Sequence, residues 1–163
     1  MPKKNKWFED NIPEEIAKAI IRVDVTLPNK TKIKRDFRPD VAIDYDGLEK
    51  QLEETPSSFA FWSAVLAEQR AVVAIVEQKR KARKAALTQE LLEKARMEGI
   101  KIAQWQVDNV VEVDDMLIGH EAELILANRS QSKLFAVVDA IRMKSDNLRS
   151  LAGFKREELK EAR

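Results

Sequence analysis

Cysteine is absent from the 163 residues, which excludes disulfides and thiolate metal sites and fits a reducing compartment. Histidine is nearly absent: His120 stands alone, with Glu121 and Glu123 close after it, and reads as a surface side chain, not a base or a ligand. Without Cys or His partners a metal centre would need carboxylates only, so no metal is expected. Only four glycines occur, none in a Gly-rich phosphate loop, which excludes a Walker-type nucleotide site. The acidic pairs Asp114-Asp115 and Glu121/Glu123 are accounted for by charge at a helix N-terminus and by solvation. The chain is therefore expected to have no catalytic residue and no cofactor. Long apolar runs are missing too. Ala71–Val76 is bracketed by Arg70 and Glu77, well short of the ~20 residues of a membrane span, and the first residues lack a signal-peptide core. An intracellular protein with no membrane partner is the expectation.

Scarce turn-formers point the same way as abundant charge. With five prolines, 6% aromatic and 35% charged residues, long helices with small cores fit better than a sandwich or barrel. The net charge of +1 conceals blocks: +4 over 1–39, −5 over 40–58, +3 over 59–98, −5 over 99–127 and +4 over 128–163. Such alternation steers self-association while still presenting basic surfaces to an anionic partner.

In chain order, residues 1–11 are polar and basic, with Trp7-Phe8 as a small anchor. Pro13 and Glu14-Glu15 open a helix with Ile16, Ile20 and Val23 on its apolar face, ending before Pro28. Leu27-Pro28-Asn29-Lys30 reads as a turn, and Thr31–Phe37 as a short strand or an extended arm. The arm's cations, Lys30, Lys32, Lys34, Arg35 and Arg38, fit a solvated tail better than a nucleic-acid arm. An acidic linker, Asp40–Asp44, precedes a short helix over Asp46–Glu54 with Leu48 and Leu52 on one edge.

The organising stretch is Ser57–Glu98. Trp62, Leu66, Gln69, Val73, Val76, Arg80, Arg83, Leu87 and Leu91 recur at three- and four-residue steps, so the spacing predicts one long helix. Thr55-Pro56-Ser57 supplies its start and Gly99 its end. At about 1.5 Å per residue it would be roughly 60 Å long, which demands a partner helix. Between 99 and 113 a short helix is favoured, Val107–Val113 also fitting a strand. A second long helix runs from Asp114-Asp115 to about Ala152, with Gly153 as its stop. Its apolar stripe includes Leu117, Leu124, Leu134, Val138, Ile141 and Leu148. Trp62 and Trp105 are read as core fillers.

If the two long helices form an antiparallel hairpin through 99–113, residue 98 lies near 114. Arg80 then faces Ser132 and Arg83 faces Arg129, so the run Lys79-Arg80-Lys81-Ala82-Arg83-Lys84 meets the polar gap Asn128–Lys133. That layer is either a register device with snorkelling arginines or a phosphate-binding surface. Val65, Val72, Leu134 and Val137 fall off the seam and would stay wet, which argues for a homo-oligomer.

Several pieces in order resemble the UvsY-like recombination mediators of tailed phages. They are Asp40-Val41-Ala42-Ile43-Asp44, then Phe61-Trp62 with Leu66, then Glu77–Leu87 with its Lys-Ala-Arg pattern. The last is Asp139–Lys144 with Leu148, Leu151 and Arg156. The resemblance covers roughly 38–158, with Ala86 standing where the family's motif has Arg before Leu. It implies a protein of the bacterial host cytoplasm that binds single-stranded DNA, forms helical homo-oligomers and helps load a recombinase onto strands covered by a single-strand-binding protein. The matched basic positions are Lys79, Arg80, Lys81, Arg83 and Lys84; Arg129 and Lys133 of the polar gap, outside the matched motif, are expected as lesser contributors to binding.

The expected fold is all-α: an antiparallel long-helix hairpin, coiled-coil-like, with a short crossover segment and assembly into a helical oligomer. An N-terminal helical, basic extension would occupy 1–39 and the DNA-binding and oligomerisation domain 40–163. The rival reading is a coiled-coil scaffolding or assembly protein of a phage with no nucleic-acid role.

Overall fold

The computed structural model describes residues 22–161. Two short strands, β1 (Arg22–Thr26) and β2 (Lys32–Asp36), are followed by α1 (Arg38–Val41), α2 (Leu48–Met97), α3 (Gln104–Glu112) and α4 (Asp115–Glu161). Within each of its two compact units a stretch of α2 packs antiparallel on a stretch of α4, and α3 is the short crossover helix, so the architecture is the expected all-α one, carrying a small β-hairpin. The chain divides into two compact units, one of 69–131 and one that joins the segments before and after it.

In the discontinuous unit, β1 and β2 pair antiparallel with Val23 opposite Arg35 and Val25 opposite Ile33. Alternation decides the local structure: Val23 and Val25 are buried, while Arg22, Asp24 and Thr26 face out, a period of two that suits β-branched residues. Val23 therefore lies in a strand, not on a helix running to Pro28. The rest of that expected helix, and the Trp7-Phe8 anchor, lie outside the described residues. The expected turn forms at 27–31, with the Lys30 N–H on the Leu27 carbonyl and Lys30 at φ +66°. The two valines pack into one core with Trp62, Val65, Leu66, Leu134, Val137 and Ile141. Trp62 is thus a core filler as expected. Val65, Leu134 and Val137 are buried too, which corrects the expectation that they stay wet: the β-hairpin supplies the cover that two helices alone lack.

The helix start at Thr55-Pro56 is also corrected. Helix α2 begins at Leu48, absorbing the separate 46–54 helix, and carries Pro56 inside it. A proline there removes one helical hydrogen bond and costs about 3 kcal/mol. Local anchors outweigh it. Gln51 accepts from the Asp44 N–H at 3.1 Å and donates to the Asp44 carbonyl at 2.5 Å. Leu48 is buried, and the Thr55 hydroxyl donates back to the Gln51 carbonyl at 2.6 Å. Helix α2 is also long and apolar enough, by length and composition alone, to cross a membrane, contrary to the reading of its sequence. At the far end of α4, Gly153 does not stop the helix, which continues to Glu161.

In the unit 69–131, Gly99 ends α2 as expected. It sits at φ +68°, with the Ile100 N–H on the Ala95 carbonyl at 2.9 Å and the Gly99 N–H on the Arg96 carbonyl at 3.2 Å, the Schellman pattern. The chain then turns back, and α3 buries Val107 and Val111. Trp105 on α3 is 62% exposed, so it is not the core filler its sequence suggested. Because α3 doubles back along the last turns of α2, α4 begins beside Arg83. The facing register is therefore shifted: Gln69 donates to the Ala127 carbonyl at 3.1 Å and Arg80 meets Glu121. Glu121, the partner Arg80 finds, precedes the expected Ser132 by eleven residues, about three turns of α4.

Candidate nucleic-acid interface

The five cations of the α2 run separate into two sets by helical phase. Arg80 and Arg83 face inward and are half-buried, while Lys79, Lys81 and Lys84 are exposed. Arg80 pairs with Glu121 at 2.5 Å. The guanidinium of Arg83 forks onto Asp114, Nε to Oδ1 at 3.1 Å and Nη2 to Oδ2 at 2.6 Å, the planar geometry that lysine cannot reproduce. Asp114 has a second duty: its Oδ1 accepts the Leu117 N–H at 2.9 Å, capping the first turn of α4. The hydrogen bond from Arg83 holds the Asp114 carboxyl below the usual aspartate range, against a smaller opposing effect of burial. The same contact raises the Arg83 pKa.

Of the exposed set, Lys81 pairs with Glu77 one turn back at 2.8 Å, a contact that lowers the Glu77 pKa. Lys79 and Lys84 carry no ion pair among the described residues. A groove of about 500 Å³ opens beside Lys84, with Ile118, Ala122 and Ile125 on its α4 side and the carboxylates of Glu112 and Glu121 in its lining. The expected apposition of the basic run to Asn128–Lys133 is not made. Arg129 is exposed in this unit. Lys133 belongs to the other unit, where its amine donates to the Arg22 carbonyl. The α2 run is acid-free in sequence but not in space, because its counter-charges arrive from α4 and from the residue just before it.

The discontinuous unit holds a second polar cluster, built around a residue read from sequence as a linker acid. Asp40, at the end of α1, is buried. Its Oδ1 accepts from Arg35 at 2.9 Å and from the Ser58 hydroxyl at 2.9 Å, and its Oδ2 accepts from the Trp62 indole at 3.1 Å. Its backbone carbonyl accepts from the buried Lys144 amine at 3.2 Å. Burial pushes the Lys144 pKa down, with Asp40 and Glu54 opposing that shift. Arg35 also lies over the Phe61 ring at 5.0 Å and the Trp62 ring at 5.7 Å. Three of the four sequence pieces that suggested the family, those around Asp40, Phe61-Trp62 and Lys144, meet at this point. A signal was there to be read: Lys144 lies between Ile141 and Leu148 on the apolar stripe, where a charge needs a partner.

Long antiparallel helices joined by a short helix define the class of this fold. It is UvsY-like. The chain is similar to the bacteriophage T4 recombination mediator protein UvsY in its crystal structure, with a TM-score of 0.60 at 15% identity, over 75% of this chain and 92% of that one. No protein-family model matches the sequence, and no curated protein does.

Proposed function

We propose that this chain is a non-enzymatic recombination mediator. In this reading it binds single-stranded DNA, assembles into homo-oligomers and promotes loading of a phage recombinase onto strands held by a single-strand-binding protein. The observation that carries the reading is a UvsY-like fold whose α2 presents Lys79, Lys81 and Lys84 to solvent from one short stretch. Lysines spaced along an exposed helix face displace counterions from a phosphate backbone and read no bases, so binding is sequence-independent and salt-sensitive. Arg129 contributes as a further exposed cation. Arg80, Arg83 and Lys133 hold internal partners and contribute through the structure that positions the others. Oligomers follow from apolar side chains left on the surface, such as Ile75, Leu92, Ile125 and Phe135, which helix packing between copies would cover.

The rival reading, a scaffolding coiled coil without a nucleic-acid role, draws on the ion pairs of Arg80 and Arg83, which are what a register device would look like. Fluorescence anisotropy with a short single-stranded oligonucleotide at low and moderate salt separates the two. Binding that weakens as salt rises, alike for every sequence, supports the mediator. No binding at low salt leaves the scaffold.

A further inference from the structure

We propose that a groove in the discontinuous unit binds an extended acidic peptide of a partner protein that carries one aromatic side chain. This site is separate from the α2 lysines and does not rest on the DNA-binding reading. The groove measures about 270 Å³, with Pro56 and Phe59 of α2 on one side and Arg142, Ser145, Asp146 and Arg149 of α4 on the other. Its size admits one ring, and the Pro56 ring and Phe59 give that ring an apolar seat.

The charge argument selects the rest of the ligand. Arg142 is exposed and has no ion pair among the described residues. Arg149 touches Asp146 only at 3.6 Å, with both side chains largely in solvent, so its guanidinium is loosely held and open to a better acceptor. The two arginines are seven residues apart on α4, about 10 Å at 1.5 Å rise per residue. On an extended chain side chains two and four residues apart share a face, and carboxylates four residues apart span about 13 Å at roughly 3.3 Å per residue, within reach of two long guanidinium side chains that splay apart. An acid–x–aromatic–x–acid segment therefore places both carboxylates on the arginine forks with its ring between them on the same face. Asp146 in the same wall argues against a nucleic-acid strand, since it meets a run of phosphates with a like charge, while a peptide can set an uncharged residue there.

The test is anisotropy of a dye-labelled synthetic peptide, Gly-Asp-Ala-Phe-Ala-Asp-Gly, titrated with the full-length protein at fixed low salt. Arg142→Ala and Arg149→Ala should each weaken binding about fivefold, as removal of a charge-assisted pairing at an exposed site does. Replacing the peptide's Phe by Ala should weaken it about tenfold. Both arginines are exposed on a helix and Ala keeps the helix, so circular dichroism should stay unchanged. Phe59→Ala serves as an independent variant, with the same direction expected. The proposal is overturned if the peptide binds the arginine variants as tightly as the parent chain. It is equally overturned if an oligothymidine displaces the peptide and loses affinity through the same two substitutions, because the groove would then be a phosphate site.

Discussion

Two clusters of paired charge hold this protein, and they use their cations differently. Around Asp40 one buried carboxylate gathers Arg35, Ser58 and Trp62, while Lys144 reaches its carbonyl. The pieces come from β2, α1, α2 and α4. Along α2 the cations outnumber the acids that reach them, and the surplus is exposed. Burial makes the first cluster a fixed part of the architecture, since an unpaired group there would be stranded without water. Partial exposure in the second leaves Lys79 and Lys84 available to something outside the chain. Residues of the same charge thus serve structure in one place and surface in the other, and the difference is whether a carboxylate arrives from a distant segment.

The sharpest way to break that contrast is to remove the buried acid. Asp40→Ala should cost about 3 kcal/mol in urea unfolding, because it strands the indole N–H of Trp62 and removes a charge-assisted bond to Arg35. Asp40→Asn should cost less, keeping acceptors for two of the three donors. Next in size is Arg83→Ala, which uncouples α2 from the cap of α4. Its melting temperature should fall clearly, while Lys84→Ala leaves it within error. Acid should reproduce the effect of Arg83→Ala. The folded-state pKa of Asp114 is lowered, so its contribution is complete above the ordinary aspartate value near 4 and is lost as pH falls through the depressed value below it. The melting temperature of the parent chain should therefore drop more between pH 6 and pH 3 than that of Arg83→Ala.

Smaller still is the effect of the exposed lysines on stability, which is the point of testing them. Lys79→Ala with Lys84→Ala should leave unfolding unchanged within about 0.5 kcal/mol. The slope of log affinity for single-stranded DNA against log salt should flatten by about 0.7 for each lysine–phosphate pairing removed. An unchanged slope would remove both lysines from the interface. A change of comparably small size, but of opposite sign to the core variants, is expected for Lys30→Gly at the tip of the β-hairpin, where φ is +66°. Glycine adopts that conformation without strain, so a gain of about 0.5 kcal/mol is expected in the same unfolding assay.

What could be read from the residues alone follows the range of the interactions involved. The periodic stripe through Trp62 and Leu66, the stop at Gly99 and the short helix after it depend on neighbours within a few positions, and they appear as spacing predicts. The boundary at Pro56 does not, because strapping by Asp44 and Gln51 overrides a local preference. The partners of Arg80 and Arg83 lie 41 and 31 positions away. Finding them requires knowing that α3 doubles back, and no local spacing encodes that. Asp40 was visible as part of a recurring pattern, yet its partners include an indole 22 positions on and a lysine 104 positions on.

That last separation bears on the order in which the molecule forms. The unit 69–131 is one continuous segment, and every contact within it closes a modest loop. The other unit is split, and its central contact between Asp40 and Lys144 closes a loop through everything in between. Loop-closure entropy favours the continuous hairpin first and makes the Asp40 cluster a late event that locks ends already brought together. As the chain leaves the ribosome, β1, β2 and the first half of α2 must wait for α4 before Val23, Val25 and Trp62 find their cover. During that wait they present an apolar face of their own, and whatever shields it from other nascent copies governs the yield of folded protein.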